Sequence, residues 1–335
     1  MNHVEISPLQ KAWHAALAGA LRGARTAVWL LAIMVPVSFL VYLLQESGLM
    51  AYISFYAAGV FGLVGLPGEA ALVFVTAALM NNYSAIAVIG TLQLAPREVT
   101  IVALMCLVAH NLLVELPVMR STGSSLVRMG AIRIGTAFVA AWIANALLPL
   151  GGAVPTAAGA AAAAPSPIAG NGAAVLHAVI SALPGWLFDT ARLVLTVSVI
   201  VISLMAAVRA LGALGVIERL GKLLRPLMRF FGLPAASGYL WLVSNTLGLA
   251  YGAAVLREGV EDGTLSRPES DLLNHHFGMS HSLAEDTLLY AAIGVPVLPI
   301  VVPRLLFALA AVWERRAERR LCSLRTGAID PNFTE

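Results

Sequence analysis

His110-Asn111-Leu112-Leu113-Val114-Glu115 and His281-Ser282-Leu283-Ala284-Glu285-Asp286 are two short stretches that resemble each other. Each sets a histidine and, five residues on, a carboxylate into a segment otherwise poor in charge. An ionised Asp at mid-bilayer costs about 2.5–3.5 kcal/mol on insertion scales, so such residues ask for a function. Finding the pattern twice, at matching places in the chain, points to two halves of one site.

The surroundings are those of a polytopic membrane protein. Of the 335 residues, 59% are hydrophobic and 12% charged, with a mean hydropathy of +0.84. No Lys or Arg lies between Thr26 and Pro96, room for more than one span of about 20 residues. The first apolar run, Thr26–Leu44, is too long for a signal peptide and ends in Gln45-Glu46, so it is expected to remain as a transmembrane helix. Cys106 and Cys322 lack metal-cluster spacing, and no disulfide between them is expected. No G-x-x-x-x-G-K-[ST] occurs, so energy must come from an ion gradient, the substrate's own gradient or a separate subunit.

Arg209, Arg219, Lys222, Arg225 and Arg229 crowd one loop, and Arg315, Arg316, Arg319 and Arg320 crowd the C-terminal segment. This reads as the positive charge of cytoplasmic segments, and no nucleic-acid partner is expected.

The chain repeats itself. Ala24-Arg25 returns as Ala191-Arg192, Gly48 as Gly215 and Gly65-Leu66-Pro67 as Gly232-Leu233-Pro234, all at one offset (215 − 48 = 167). Tyr83-Ser84-Ala85 pairs with Tyr251-Gly252-Ala253, and His110 with His281, at slightly larger offsets. A series at nearly constant spacing means duplication. Between the copies, Gly151 to Gly172 carries no charge, an unbroken Ala160–Ala164 and Pro155, Pro165 and Pro167, as a flexible linker does. The resulting division is a first repeat over 1–150, a linker over 151–175, a second repeat over 176–321 and a cytoplasmic tail over 322–335.

Residues 45–68 carry no Lys or Arg, whereas 209–233 carry several, so the equivalent loops belong on opposite faces. The expected fold is therefore all-α, with two inverted-topology repeats, each holding a broken transmembrane helix and a re-entrant helical hairpin. In the first repeat an interfacial segment, 1–23, precedes the span Thr26–Leu44. The broken helix is Gly68–Leu92, the hairpin is Pro96–Arg120, and Ile134–Leu150 crosses last, with Arg120, Arg128 and Arg133 still cytoplasmic. In the second, Leu193–Arg209 goes in and Ala235–Leu256 goes out to an external 257–267 loop bearing Glu258, Glu261 and Asp262. Pro268–Tyr290 forms the second hairpin, and Ala291–Trp313 returns. Both termini are expected in the cytoplasm of a bacterium, the chain lying in the inner membrane.

Polar residues interrupt the broken helices at Asn81-Asn82-Tyr83-Ser84 and at Ser244-Asn245-Thr246, just before Gly248. Such breaks turn carbonyls and amides towards a substrate, the competing role being interhelical hydrogen bonding. Asn81, Asn82, Tyr83, Ser244 and Asn245, with Asn111 and Ser282 beside the two histidines, are the substrate-binding candidates. His110, Glu115, His281, Glu285 and Asp286 are the metal-ligand candidates. On a helix His281 and Glu285 share a face. His110 and Glu115 lie about 140° apart and converge only where the helix breaks, with Pro117 helping to break it. Imidazole and carboxylate together suit Zn²⁺, Fe²⁺ or Mn²⁺ better than Mg²⁺ or Ca²⁺, and they suit a proton relay equally. His275 and His276 have no counterparts in the first half and stand as access-route ligands or as the water-facing start of a hairpin. Cys106 reads as filler.

The Asn-rich break, "HNLLVELPVMRSTGSS" from His110 and "NHHFGMSHSLAEDTLLYAAIGVP" from Asn274 resemble the nucleoside-recognition, or gate-domain, family. The resemblance covers nearly the whole chain as two gate-like units, similar to the membrane part of bacterial ferrous-iron transporters and to spore-maturation membrane proteins. It differs from the iron transporters in holding no GTPase domain within these residues and no Cys-x-Pro, since Leu107-Val108 follows Cys106. The resemblance implies transport, not enzymatic catalysis, and no cofactor. The first reading is a transporter of a divalent transition metal, moved through a midplane site between the repeats. A nucleoside or similar polar solute is the second, and a non-transporting membrane scaffold or signalling partner is the third. An intramembrane hydrolase lacks an H-E-x-x-H. The expected partners are the lipid bilayer and the small substrate, with room for a homo-oligomer or a partner membrane subunit.

Overall fold

A computed structural model describes residues 7–149, 172–247, 256–261 and 263–326. Gly248, Tyr251, Gly252, Ala253, Asp262, linker residues 151–171 and the tail beyond 326 lie outside the described residues. Every regular element among the described residues is helical. Five stretches there are long and apolar enough to cross a membrane: 8–46, 96–121, 126–147, 175–213 and 297–324.

Two long helices, α1 (Pro8–Glu46) and α8 (Gly172–Ala213), run antiparallel along one flank. Gly19 meets the backbone of Met205, where a Cβ would come within 2.5 Å of the carbonyl oxygen, and Gly23 meets Ile202. Further along, Trp186 Nε1 donates to Ser38 Oγ at 3.1 Å, and the Tyr42 hydroxyl donates to the Val179 carbonyl. The expected interfacial segment over 1–23 is corrected here. From Pro8 onward it is continuous with the span, started by a capping box of Ser7 and Gln10. At 39 residues α1 is ~58 Å long, well beyond a hydrocarbon core of about 30 Å. Likewise α8 is already helical at the end of the expected linker and long before Leu193.

After α2 (Leu49–Gly62) come two short helices, α3 (Ala70–Leu79) and α4 (Asn82–Ile89), separated at Met80-Asn81. Next are α5 (Pro96–Val108) and α6 (Leu112–Ser121), interrupted at 109–111, and then α7 (Leu126–Leu147). The expectation that 96–120 enters and leaves by one face is overturned. Arg97, at the start of α5, bonds the carbonyls of Asn145 and Leu148 at the end of α7. The end of α6 leads within a few residues into the start of α7. Because α7 is one helix of 22 residues, ~33 Å long, the two ends of 96–121 are about that far apart. It is α3 and α4 that begin and finish at one end. Gly65, just before α3, lies against Asn145, and α4 runs back to the start of α5 beside the same Asn145.

In the second half, α9 (Val216–Leu223) and α10 (Arg225–Phe230) carry basic residues, and a short 3-10 turn leads into α11 (Gly238–Leu247). There follow α12 (Arg267–Ser280), α13 (Leu283–Ala292) and α14 (Val297–Thr326). Arg319 pins the start of α12 to the last turns of α14 through Pro268 O, while α13 connects directly to the start of α14. Thus 267–292 has its ends apart, as 96–121 has. Residues 263–266 lead directly into this same end of α12, so they sit with the basic tail and not across from it.

Of the expected break at Ser244-Asn245-Thr246 and Gly248, only the first three residues are described, and Gly248 lies outside the described residues. Those three are helical in α11, with Asn245 Nδ2 and Thr246 Oγ1 bonded back to Trp241 O and Leu242 O.

Left-handed backbone recurs in pairs: Gly48 and Gly215, Gly65 and Gly232, Gly123 and Gly294, and the non-glycines Asn111 (φ 52°) and Ser282 (φ 53°). The last two start α6 and α13. Their amides donate to Ala77 O at 2.8 Å and Ser244 O at 3.0 Å, tying each break to a neighbouring short helix. Pro117 lies inside α6, beyond the break, which it does not create.

Candidate functional site: a paired histidine–carboxylate–arginine centre

The breaks at 109–111 and 281–282 bring His110 and His281 together from 171 residues apart. His110 Nδ1 faces Cys106 O at 3.0 Å and His281 Nδ1 faces Phe277 O at 2.5 Å. A carbonyl only accepts, so both Nδ1 atoms carry a proton, which turns the two Nε2 atoms towards the centre. Those Nε2 atoms face each other at 2.9 Å. Glu115 Oε1 lies 3.0 Å from His281 Nε2 and 3.6 Å from His110 Nε2. Asp286 Oδ2 approaches His110 Nε2 at 3.7 Å.

Two arginines that the sequence reading left out of the site complete it. Arg133, fully buried, donates to Glu115 Oε2 at 2.5 Å and to the carbonyls of Val108 and His110 at 2.9 Å each. Arg304, also fully buried, donates to Met279 O at 3.1 Å and His281 O at 2.5 Å, and stands 3.9 Å from Asp286 Oδ2. The expectation that Arg133 marks a cytoplasmic loop is thereby corrected. Each arginine holds the unwound backbone of its break and neutralises one carboxylate, where an unpaired buried charge would be prohibitive. The signal was available, since Arg133 and Arg304 stand at the same offset as the histidines (304 − 133 = 171).

The remaining candidates divide. Glu285, expected as a ligand alongside Asp286, turns away and accepts the Tyr83 hydroxyl. His281 itself caps the end of α12 with extended backbone, so it shares no helix face with Glu285. Asn82 accepts from the Tyr290 hydroxyl at 3.3 Å, and Asn81 caps α4 by accepting from Ser84 N at 2.8 Å. Asn111 and Ser282 act through their backbone at the two breaks. Several buried polar atoms here have no hydrogen-bond partner among the described residues: Asn82 Nδ2, Ser84 Oγ, Ser244 Oγ, Asn245 Oδ1, Thr287 Oγ1 and Arg304 Nη1. Unpaired buried polar groups are costly and concentrate where ligands or water enter.

His275 and His276 lie outside this centre. The first accepts from Arg128 Nε at 3.1 Å and the second from Trp241 Nε1 at 2.7 Å. Cys106 is buried and not disulfide-bonded.

A family model described as nucleoside recognition (Gate) matches residues 27–126, which include α5, His110 and Glu115. The membrane protein YvoD of Bacillus subtilis (strain 168), itself described as uncharacterized, is 34% identical over 308 residues, covering 89% of this chain and 95% of that protein. The chain belongs to the nucleoside-recognition (Gate) family. No solved structure matches it. As a Gate-family membrane protein it buries three ionisable pairs at the helix breaks: His110 with His281, Glu115 with Asp286, and Arg133 with Arg304.

Can this Gate site hold a metal? His110, Glu115 and His281 each offer a ligand atom, and these atoms lie within 4.8 Å of one another. Each imidazole also has its second nitrogen on a backbone carbonyl, the outer support that metal-ligating histidines have. Tetrahedral coordination with metal–nitrogen bonds near 2.0–2.1 Å would separate the nitrogens by about 3.3 Å. The rings need to part by only a few tenths of an ångström.

Proposed function

We propose that this protein is a transporter of a divalent transition-metal ion, bound by His110, His281 and Glu115 with Asp286 beside them. The supporting observation is the pair of Nε2 atoms facing each other at 2.9 Å beside the Glu115 carboxylate, an arrangement that suits a cation between them. In this reading the chain comprises two inverted-topology repeats in a bacterial inner membrane, with both termini cytoplasmic. Residues 96–121 and 267–292 are the broken crossings, and α3–α4 is the re-entrant hairpin of the first repeat. The opposed directions of the equivalent broken helices support the inversion, and the paired left-handed residues support the duplication. Alternating access comes from one repeat rocking against the other around the site.

A specific observation favours a second cation. Arg133 and Arg304 already balance Glu115 and Asp286, so a proton shared between the imidazoles leaves a smaller buried charge than a divalent ion. A nucleoside fits less well. Tyr83 is committed to Glu285, and Phe277 is fully buried, so neither offers a free ring face for a base.

The test is Zn²⁺, Mn²⁺ and Fe²⁺ binding to the purified full chain in nanodiscs, with a nucleoside panel alongside. Metal binding lost on combining His110→Gln with His281→Gln supports the metal reading. Absent metal binding, with protons released or taken up around the dyad, supports the proton. Nucleoside binding insensitive to both substitutions overturns both.

A further inference from the structure

At the end that carries the basic tail, the two halves are joined by a buried polar network. Asp271, 2% exposed, accepts from Ser124 Oγ at 2.6 Å, Arg315 Nε at 2.8 Å and Arg319 Nη2 at 2.5 Å. Asn274 Nδ2 reaches Thr122 Oγ1 and Ser124 Oγ at 2.9 and 3.0 Å, and Ser270 Oγ donates to Thr122 O at 2.5 Å. Arg128, from the first half, donates to His275 Nε2 and forms ion pairs with Glu314 and Glu318 of the second at 3.0 and 2.7 Å. This is where His275 finds its role.

The repeat makes the comparison with the opposite end direct. At the offset of 171 that relates the histidines, Ser124 and Arg128 correspond to Val295 and Pro299, and Asp271 and His275 to Thr100 and Leu104. Glu314 and Glu318 correspond to Ile143 and Leu147. One end of the interface between halves is therefore ionic and the other apolar. Thr100 spends its hydroxyl within its own helix, on Pro96 O. A cavity of about 590 Å³ opens at the apolar end, beside Tyr42, Glu46, Thr91, Trp186 and Ile293.

We infer that the Asp271–Arg128 network is the gate that shuts the site off from the basic-tail side, latching the two halves together at that end. The physical basis is the difference between the two ends. Separated ions and hydroxyls regain water as partners, so an ionic interface opens to water at small net cost. A separated apolar interface does not. The inference rests on the transport reading only in requiring that the site open to one side at a time.

The experiment reads separation and not transport. Spin labels are placed at Ser121→Cys and Arg267→Cys on the latched end, and at Gln93→Cys and Leu298→Cys on the other. The full chain, with Cys106 and Cys322 replaced, is studied in nanodiscs by pulsed electron spin resonance. Asp271→Asn and Arg128→Gln, each alone, are expected to lengthen the 121–267 distances by several ångströms without lengthening 93–298. Should Asp271→Asn fail to fold, the more exposed Arg128→Gln carries the test. Unchanged 121–267 distances in the folded variants, or equal lengthening of both pairs, overturn the gate. Zn²⁺ titration of the same samples separates the two ideas: a lengthened 121–267 pair in protein that binds no metal leaves the gate standing and removes the metal.

Discussion

His110 and His281 point their Nε2 atoms at each other across 2.9 Å while each Nδ1 is committed to a carbonyl four residues earlier. Neither ring can rotate without abandoning its carbonyl, and Glu115 Oε1 stands 3.0 Å from His281 Nε2.

Metal affinity should consequently fall as the pH is lowered, because protons compete with the metal for the same Nε2 atoms. Titrating Zn²⁺ between pH 5.5 and 8 checks this. In the His110→Gln, His281→Gln double variant the dependence should flatten and binding weaken, with the helical signal of the folded protein kept.

Glu115 and Glu285 should behave differently although both are acidic residues near a break. Glu115→Gln replaces an anionic ligand with a neutral one and should weaken metal binding by at least about 10-fold, the low end of the loss seen when only a ligand's supporting group is removed. Glu285→Gln keeps a partner for Tyr83 and should leave affinity within about threefold. Calorimetry on the two variants decides it, and equal losses would mean that Glu285 swings into the site.

Arg133→Ala leaves Glu115 buried without its partner and frees the carbonyls of Val108 and His110. Breaking such a pair costs about 3–5 kcal/mol, so a marked fall in thermal midpoint is expected. Replacing Arg133 and Glu115 together by Met and Gln should recover part of that loss. No recovery would mean that the carbonyl contacts, not the ion pair, dominate.

Gly19→Leu should separate α1 from α8, since even a Cβ there meets the Met205 carbonyl at 2.5 Å. Overpacking of this kind costs about 1–3 kcal/mol. Gly59→Leu, where added atoms meet open space, is the control and should leave the melting curve nearly unchanged.

Much of this arrangement was legible from residue types and spacing. The dyad, Glu115 and Asp286 were found because ionisable groups in apolar sequence are rare and because duplication marked the equivalent pair. Four things were not. Arg133 looked like a loop charge, since a single basic residue near a span end is read by position, while its burial depends on Glu115 of the preceding helix, 18 residues away in sequence. A 26-residue apolar stretch such as Pro96–Ser121 has the same composition whether it turns back or crosses, and only Arg97 meeting Asn145 distinguishes the two. Ser244 and Asn245 looked like a break because they are polar, yet Asn245 bonds back onto its own helix at Trp241. The 257–267 loop was set outside by its acidic residues, whereas its fold beside Arg267 and the basic tail puts it with the cytoplasmic end in the proposed topology. Cysteine labelling from outside should thus reach 47 and 93 but not 263.

The most direct measurement is X-ray absorption of the Zn²⁺-loaded full chain in nanodiscs. The expected first shell is two imidazole nitrogens at 2.0–2.1 Å with carboxylate oxygen, and the imidazole scattering disappears in the His110→Gln, His281→Gln variant. A shell of oxygens alone, a sulfur neighbour, or imidazole scattering that survives both substitutions would contradict a metal held between His110 and His281.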